Sequence, residues 1–127
     1  MTGYFGPIED LTVENENFRQ VLFTGEHMQL VVMSLLPGEE IGNEMHDDVD
    51  QFFRIEGGEA TFVLNNEDKQ VAHDGDAVIV PAGTWHNVIN TSATEKLKLY
   101  TVYTPPEHPD GTVHKTKAEA DAAEHHH

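Results

Sequence analysis

Short apolar runs, separated by turns rich in glycine, proline and acidic residues, dominate the hydrophobic pattern of this chain of 127 residues. Several runs alternate apolar and polar side chains with the period of two that is typical of strands burying one face. Many short strands with this punctuation indicate an antiparallel sandwich or barrel, and the pattern alone does not distinguish the two. The predicted strands cover residues 18–23, 28–36, 51–56, 61–64, 69–72, 77–80, 86–90 and 97–103.

The two ends of the chain differ in pattern from its middle. Residues 1–16 are polar and acidic after an aromatic start, and we interpret them as an N-terminal arm or an edge strand. Residues 17–104 form the predicted barrel. Residues 105–127 contain a proline-rich surface loop, then a predicted short helix, and they end in His125–His127, which resemble a purification-tag remnant and are excluded from the site.

Two local patterns carry more specific structural predictions. The run 77–80 is almost continuously apolar, which predicts a strand buried on both faces. Thr116 and Glu119 have the spacing of a capping box, in which the threonine accepts a hydrogen bond from the first helical turn. This spacing predicts that the C-terminal helix begins directly after Thr116.

The register of the strand 51–56 decides which polar side chain faces the interior. If Asp50 points inward, two charged side chains of the strand follow it, and burying them unpaired is costly. If Gln51 points inward, Phe53 and Ile55 follow it, and these can fill a core. We therefore predict that Gln51 faces inward and that Asp50 faces outward.

The segment 75–90 carries a specific family signature. It fits the pattern G-x5-P-x-G-x2-H-x3-N at all fixed positions, which are Gly75, Pro81, Gly83, His86 and Asn90. This pattern is the second signature motif of the cupin superfamily, which the chain therefore resembles. The resemblance implies an all-β fold, a double-stranded β-helix or jelly-roll barrel with a metal or substrate pocket inside, and it also implies a homodimer.

The segment 38–58 resembles the first cupin signature, G-x5-H-x-H-x3-4-E-x6-G, with two departures. Gly38, His46 and Gly58 occupy their expected places, whereas Glu44 stands in place of the first histidine and Gln51 in place of the acid. The resemblance, which covers about the middle half of the chain, is to small single-domain cupins of the kind loosely labelled mannose-6-phosphate-isomerase-like.

Four side chains are the predicted ligands of one divalent transition metal. Glu44 and His46 lie one alternation apart and share a face, and two imidazoles with one carboxylate can form a facial triad for a metal such as Fe(II). The family set implies His86 and Gln51 as further ligands, in place of the usual three histidines and one glutamate. A neutral amide is a weaker donor than an imidazole, so Fe, Mn, Ni and Zn all remain open.

Catalytic roles are predicted for Glu44, Tyr103 and His108. Tyr103 ends the last good strand, and its hydroxyl needs a partner if it is buried. The loop 104–114 follows directly and carries His108, which titrates near neutral pH. One interpretation places Tyr103 or His108 at an open metal position, and the other treats the loop as a packed segment across the barrel exterior.

Two function classes remain open at this point. The first is a small metalloenzyme, an oxygenase, isomerase or lyase acting on a small polar acid or sugar-derived substrate. The second is a non-catalytic or metal-free cupin that binds a small sugar-like ligand. The excess of 23 acidic over 7 basic residues disfavours nucleic-acid and anionic membrane partners. The absence of cysteine fits a reducing compartment, and we expect a cytoplasmic protein.

Overall fold

The computed structural model describes residues 2–124 of the chain, so that the tag-like His125–His127 lie outside the described residues. Within residues 2–124, two helices and nine strands follow one another along the chain. In chain order they are α1 (Ile8–Glu14), β1 (Arg19–Thr24), β2 (Gln29–Leu35), β3 (Asp50–Gly57), β4 (Glu59–Leu64), β5 (Asp68–His73), β6 (Ala77–Val80), β7 (His86–Ile89), β8 (Leu97–Thr104), β9 (Val113–His114) and α2 (Lys117–Glu124).

The strands form two antiparallel sheets that face each other. One sheet has six strands in the order β6-β3-β8-β2-β1-β9, and the other has three in the order β5-β4-β7. The Phe53 ring on β3 contacts the Phe62 ring on β4, with ring centroids 5.1 Å apart. This packing confirms the predicted all-β jelly-roll barrel with a short C-terminal helix. Among the described residues, no helix has both the length and the apolar character needed to cross a membrane.

The predicted register of β3 is confirmed by its burial pattern. Gln51, Phe53 and Ile55 are buried, whereas Asp50 is exposed. Gln51 lies opposite Tyr103 on β8, so both side chains belong to the inner face of the six-stranded sheet. Burying a phenylalanine side chain such as Phe53 stabilises the fold by roughly 1.5–3 kcal/mol, which is enough to enforce this register.

The prediction that residues 77–80 are buried on both faces is wrong. Strand β6 lies at the edge of the six-stranded sheet and pairs with β3. Ile79 is 66% exposed, and Val80 alone in the strand is fully buried. A short apolar run indicates a strand, but it does not tell whether a second layer covers the outer face.

A helix lies near each end of the described chain, and only the C-terminal helix was predicted. Residues 8–14 form helix α1 and not the edge strand that was one of our two interpretations. The C-terminal helix α2 begins at Lys117, and the backbone N–H of Glu119 donates to Thr116 Oγ1 at 3.1 Å, so the predicted N-terminal cap is confirmed. Strand β9, which precedes α2, pairs with the start of β1.

Candidate metal centre

Backbone hydrogen bonds align the two signature segments with each other. The N–H of Glu44 donates to the carbonyl of His86 at 2.9 Å, and the N–H of His86 donates to the carbonyl of Glu44 at 2.8 Å. The N–H of Gly83 donates to the carbonyl of His46 at 2.8 Å. Gly83 adopts a φ of +80°, which other residues rarely reach, so this turn requires glycine. These contacts bring the side chains of Glu44, His46 and His86 together.

The three side chains form a compact group that can hold a metal ion. Glu44 Oε1 lies 3.5 Å from His46 Nε2 and 3.6 Å from His86 Nε2. The three ligand atoms all lie within 4.8 Å of one another. Two ligands about 2.1 Å from a tetrahedral metal lie about 3.4 Å apart, so the observed separations fit a shared ion. They are too long for good hydrogen bonds.

The second nitrogen of each imidazole is already engaged. His86 Nδ1 lies 3.0 Å from the carbonyl oxygen of Thr84, and because a carbonyl only accepts, Nδ1 carries the hydrogen. His46 Nδ1 lies 3.4 Å from Glu107 Oε1, which favours the same tautomer. Within residues 2–124, the buried Nε2 atoms of His46 and His86 have no hydrogen-bond partner. Both lone pairs are thus free for a metal, in the arrangement that outer carboxylate and carbonyl groups give to metal-binding histidines.

Gln51 presents its oxygen in a similar way. Its Nε2 donates to Thr101 Oγ1 at 3.0 Å, and Thr101 in turn donates to the carbonyl of Phe52 at 2.8 Å. Gln51 Oε1 is buried and has no hydrogen-bond partner in the described part of the chain. The amide is therefore held with Oε1 free to accept, as a fourth metal ligand requires. The role of Gln51 as that ligand stays a prediction.

The electrostatics of the cluster favour a positive charge. Burial alone raises the pKa of Glu44, but the neighbouring His46 and His86 rings outweigh burial and lower this pKa to about 2. The Glu44 carboxylate in turn raises the pKa of His46 above its usual value. The group therefore accommodates either a proton on His46 or a cation.

The structure brings Tyr103 and His108 together beside this cluster. His108 Nε2 lies 3.2 Å from the Tyr103 hydroxyl, and the Tyr103 ring centroid lies 6.2 Å from that of His46. Burial raises the pKa of Tyr103, so its hydroxyl stays protonated at neutral pH. Burial also lowers the pKa of His108 to about 3, so this ring is neutral. The loop that carries His108 thus contacts the inner face of the barrel.

Two residues of this region were missed by sequence reasoning. Glu107 contacts His46, although it lies in a proline-rich loop where a glutamate is ordinarily solvated. Gln29, which is fully buried, holds that loop: it accepts from the N–H groups of Glu107 and His108 at 3.2 and 3.0 Å and donates to the His108 carbonyl at 2.8 Å. The only signal in the sequence was the position of Glu107 just after the strand that carries Tyr103.

The fold and this cluster together define a cupin. The family model for the cupin domain matches residues 31–103, which is more than half of the chain, and the chain belongs to this family. The matched region contains Glu44, His46, Gln51, His86 and Tyr103.

Several known proteins are similar to the chain. The uncharacterized protein YrkC of Bacillus subtilis (strain 168) is 51% identical over 122 residues, covering 92% of this chain and 65% of YrkC. The uncharacterized protein L612 of Acanthamoeba polyphaga mimivirus is 45% identical over 112 residues, covering 87% of this chain and 70% of L612. The crystal structure of BH2720 from Bacillus halodurans shares 46% identity with a TM-score of 0.91, covering 94% of this chain and 93% of BH2720. The chain thus spans slightly less than two thirds of the length of YrkC.

Proposed function

We propose that this cupin is a small metalloenzyme that binds one divalent transition metal through Glu44, His46, His86 and Gln51. Its substrate is a small polar acid or sugar-derived molecule. The observation that carries the proposal is the set of buried acceptors without partners. His46 Nε2, His86 Nε2 and Gln51 Oε1 are buried without hydrogen bonds among the described residues, while the other polar atom of each side chain is engaged. Such orphaned atoms are costly unless a ligand satisfies them.

The charge of the set supports a divalent ion. Glu44 supplies one negative charge, and both imidazoles and the amide are neutral donors when they bind a metal. A divalent cation held by these residues would keep net positive charge and would supply Lewis acidity toward a substrate oxygen. The mixture of nitrogen and oxygen donors suits a first-row transition metal, whereas calcium is typically bound by oxygen ligands alone.

The residues around the cluster can position a substrate and its protons. The Tyr103 hydroxyl is a neutral donor next to the His46 ring, and it can donate a hydrogen bond to charge that develops on a substrate oxygen. His108 is a neutral imidazole in contact with that hydroxyl, so it can orient the hydroxyl or exchange a proton with it. Glu44 is the one carboxylate of the cluster and can accept a substrate proton where it is not fully engaged by the metal.

Substrate screening with the metal as a variable tests the proposal. Tag-free protein is treated with a chelator, divided, and reconstituted with Fe(II), Mn(II), Ni(II) or Zn(II) before it is assayed against small hydroxy acids, keto acids and sugar acids. Parallel aerobic and anaerobic assays separate an oxygenase, which consumes dioxygen, from an isomerase or lyase, which does not. We expect turnover in a reconstituted sample and none in the chelated one.

Variants of the proton-handling pair refine the same experiment. Tyr103→Phe or His108→Ala should lower kcat about 100-fold at unchanged metal content, because general acid–base groups contribute on this scale. Tyr100→Phe is the matched control, since Tyr100 is a neighbour on β8 whose ring packs beside Phe52. Ligand binding without turnover, equal in chelated and reconstituted protein, would instead support the metal-free binding module.

A further inference from the structure

Arg19 is a buried cation that lies outside both signature segments, 38–58 and 75–90. It begins β1 opposite Met33, and its side chain points to the same interior as that fully buried residue. Only 3% of Arg19 is exposed, and its buried Nε has no hydrogen-bond partner among residues 2–124. An unpaired buried charge is strongly destabilising, so a partner for this guanidinium is expected.

The chain supplies carboxylate partners to its other buried or half-buried cations. Arg54 Nε lies 2.9 Å from Glu56 Oε1 in an ion pair that lacks hydrogen-bond geometry, and Lys117 Nζ lies 2.6 Å from Asp121. Lys98 lies 3.2 Å from Glu16. In the described part of the chain Arg19 has no such ion pair, although the sequence contains 23 acidic residues. The ring of Phe18, 5.3 Å away, offers a cation–π contact that offsets part of the cost.

A cleft of about 110 Å³ opens at this guanidinium. Arg19 Nη1 lies 3.4 Å from His114 Nδ1 on the paired strand β9. The residues that line the cleft are Arg19, His108, Pro109, Thr112, His114, Ala123 and Glu124. We call this feature the Arg19 cleft. Its size admits an anion of a few heavy atoms and excludes a large cofactor.

We propose that the Arg19 cleft binds a small oxyanion, a carboxylate or a phosphate, through the guanidinium of Arg19. The planar N–H groups of arginine match the two oxygens of such an anion, and a charge-assisted pair in a water-poor cleft is stronger than one on the surface. The imidazole of His114 adds a polar group to the lining. The Thr112 hydroxyl donates to the Pro109 carbonyl at 2.6 Å, and the Glu124 carboxylate lies on the rim opposed in charge to the guanidinium, so Arg19 is the group that attracts the anion. The anion takes the place that a carboxylate of the chain takes beside Arg54.

His108 connects this cleft with the metal centre. It lines the Arg19 cleft, and its Nε2 lies 3.2 Å from the Tyr103 hydroxyl. The oxyanion site nevertheless does not depend on the metal, because none of the proposed metal ligands lines the cleft. Anion binding can therefore be measured in protein that carries no metal.

The test follows the arginine side chains directly by NMR. The full chain is treated with a chelator, and inorganic phosphate, acetate and chloride are titrated in turn at constant ionic strength. The chain has two arginines, so the Nε–H signals of Arg19 and Arg54 can be assigned and compared. We expect a saturable shift of the Arg19 signal with phosphate or acetate, little shift with chloride, and no movement of Arg54.

Variants then link the shift to binding. Arg19→Met, which keeps the volume but removes the charge, should weaken phosphate or acetate binding measured by calorimetry at least tenfold, whereas Arg54→Met should leave it unchanged. If Arg19→Met does not fold, the NMR titration of the wild type decides alone. The proposal is overturned by a wild-type Arg19 signal that does not saturate with either oxyanion, by equal shifts of both arginines, or by equal binding in Arg19→Met.

Discussion

The Glu44–His46–His86 cluster and the Arg19 cleft are two buried polar regions of one barrel with opposite needs. In the cluster, lone pairs converge without a donor, because His46 Nε2 and His86 Nε2 have no hydrogen-bond partner among the described residues. In the cleft, a guanidinium lacks a carboxylate partner in residues 2–124. The cluster is therefore suited to bind a cation, and the Arg19 cleft is suited to bind an anion.

The contrast shows how unsatisfied polar atoms indicate the charge of a missing partner. The unpaired atoms of both regions are buried in the described part of the chain, namely Nε2 of His46, Nε2 of His86 and Nε of Arg19, so solvent does not relieve either imbalance. His108 lies between them, since it lines the Arg19 cleft and contacts Tyr103 near the cluster. Because no proposed metal ligand lines the cleft, changes at each region should alter the binding of its own ion and spare the other.

The largest expected effect is the loss of a histidine ligand. His46→Ala or His86→Ala should reduce metal affinity more than about 100-fold, because loss of an outer partner alone typically costs 10–100-fold. Competition with a chromophoric chelator measures this affinity. His27→Ala is the control, since His27 is exposed and lies outside the cluster. Equal affinity in His46→Ala and His27→Ala would exclude the cluster as the metal site.

A second prediction concerns the region between the two sites. Burial lowers the pKa of His108 from 6.5 to about 3, so the unfolded chain takes up a proton below pH 6.5 that the folded chain refuses. Stability should therefore fall as the pH drops from 6.5 toward 3. Between pH 7 and pH 5, the lowered pKa of His108 should reduce the free energy of unfolding by an amount on the order of 2 kcal/mol. Urea unfolding at pH 7 and pH 5 should show less pH dependence in His108→Gln than in wild type, whereas His27→Gln should behave as wild type. Identical pH dependence in all three proteins would show that His108 is not held neutral.

The outer carboxylate of the cluster should have a smaller effect. Glu107→Gln removes the charge beside His46 Nδ1 and should weaken metal binding about tenfold, with the ligands left in place. Glu59→Gln is a matched control, because Glu59 lies at the same 3.4 Å from His73 Nδ1 on the exposed surface. Equal metal affinity in the two variants would show that Glu107 does not support the site.

The smallest expected effect separates the two residues that compete at the start of β3. Gln51→Ala should weaken metal binding by less than about tenfold, because water can replace a neutral amide oxygen. Asp50→Ala should leave the affinity unchanged, since Asp50 faces outward and accepts a hydrogen bond from the N–H of Ala82 at 2.8 Å. Loss of metal in Asp50→Ala together with full binding in Gln51→Ala would reverse the assignment.

The sequence predicted those parts of the molecule that depend on short-range pattern. Alternation along β3 predicted the inward side of Gln51, and the glycine and proline spacing of 75–90 carried the resemblance to cupins that implied the jelly-roll fold. Gly58, the last fixed glycine of the segment 38–58, shows why the glycine positions of the two signatures are informative. Its φ is +79°, and a Cβ there would lie 2.5 Å from the Lys96 carbonyl oxygen.

The parts that the sequence did not predict depend on contacts between distant segments. Glu107 reaches His46 because Gln29, far earlier in the chain, holds the loop that carries Glu107. The absence of an ion pair at Arg19 is likewise visible only when its neighbours within residues 2–124 are placed. The exposure of Ile79 depends on the edge position of β6, which periodicity does not encode.

The metal content of the chain tests the assignment of the cluster most directly. Tag-free protein is purified without chelators, and its metal is measured by elemental analysis beside the double variant His46→Ala/His86→Ala. We predict about one divalent transition metal per wild-type chain and almost none in the variant. Wild-type protein that stays substoichiometric after incubation with Fe, Mn, Ni and Zn would contradict the assignment, as would equal metal content in both proteins.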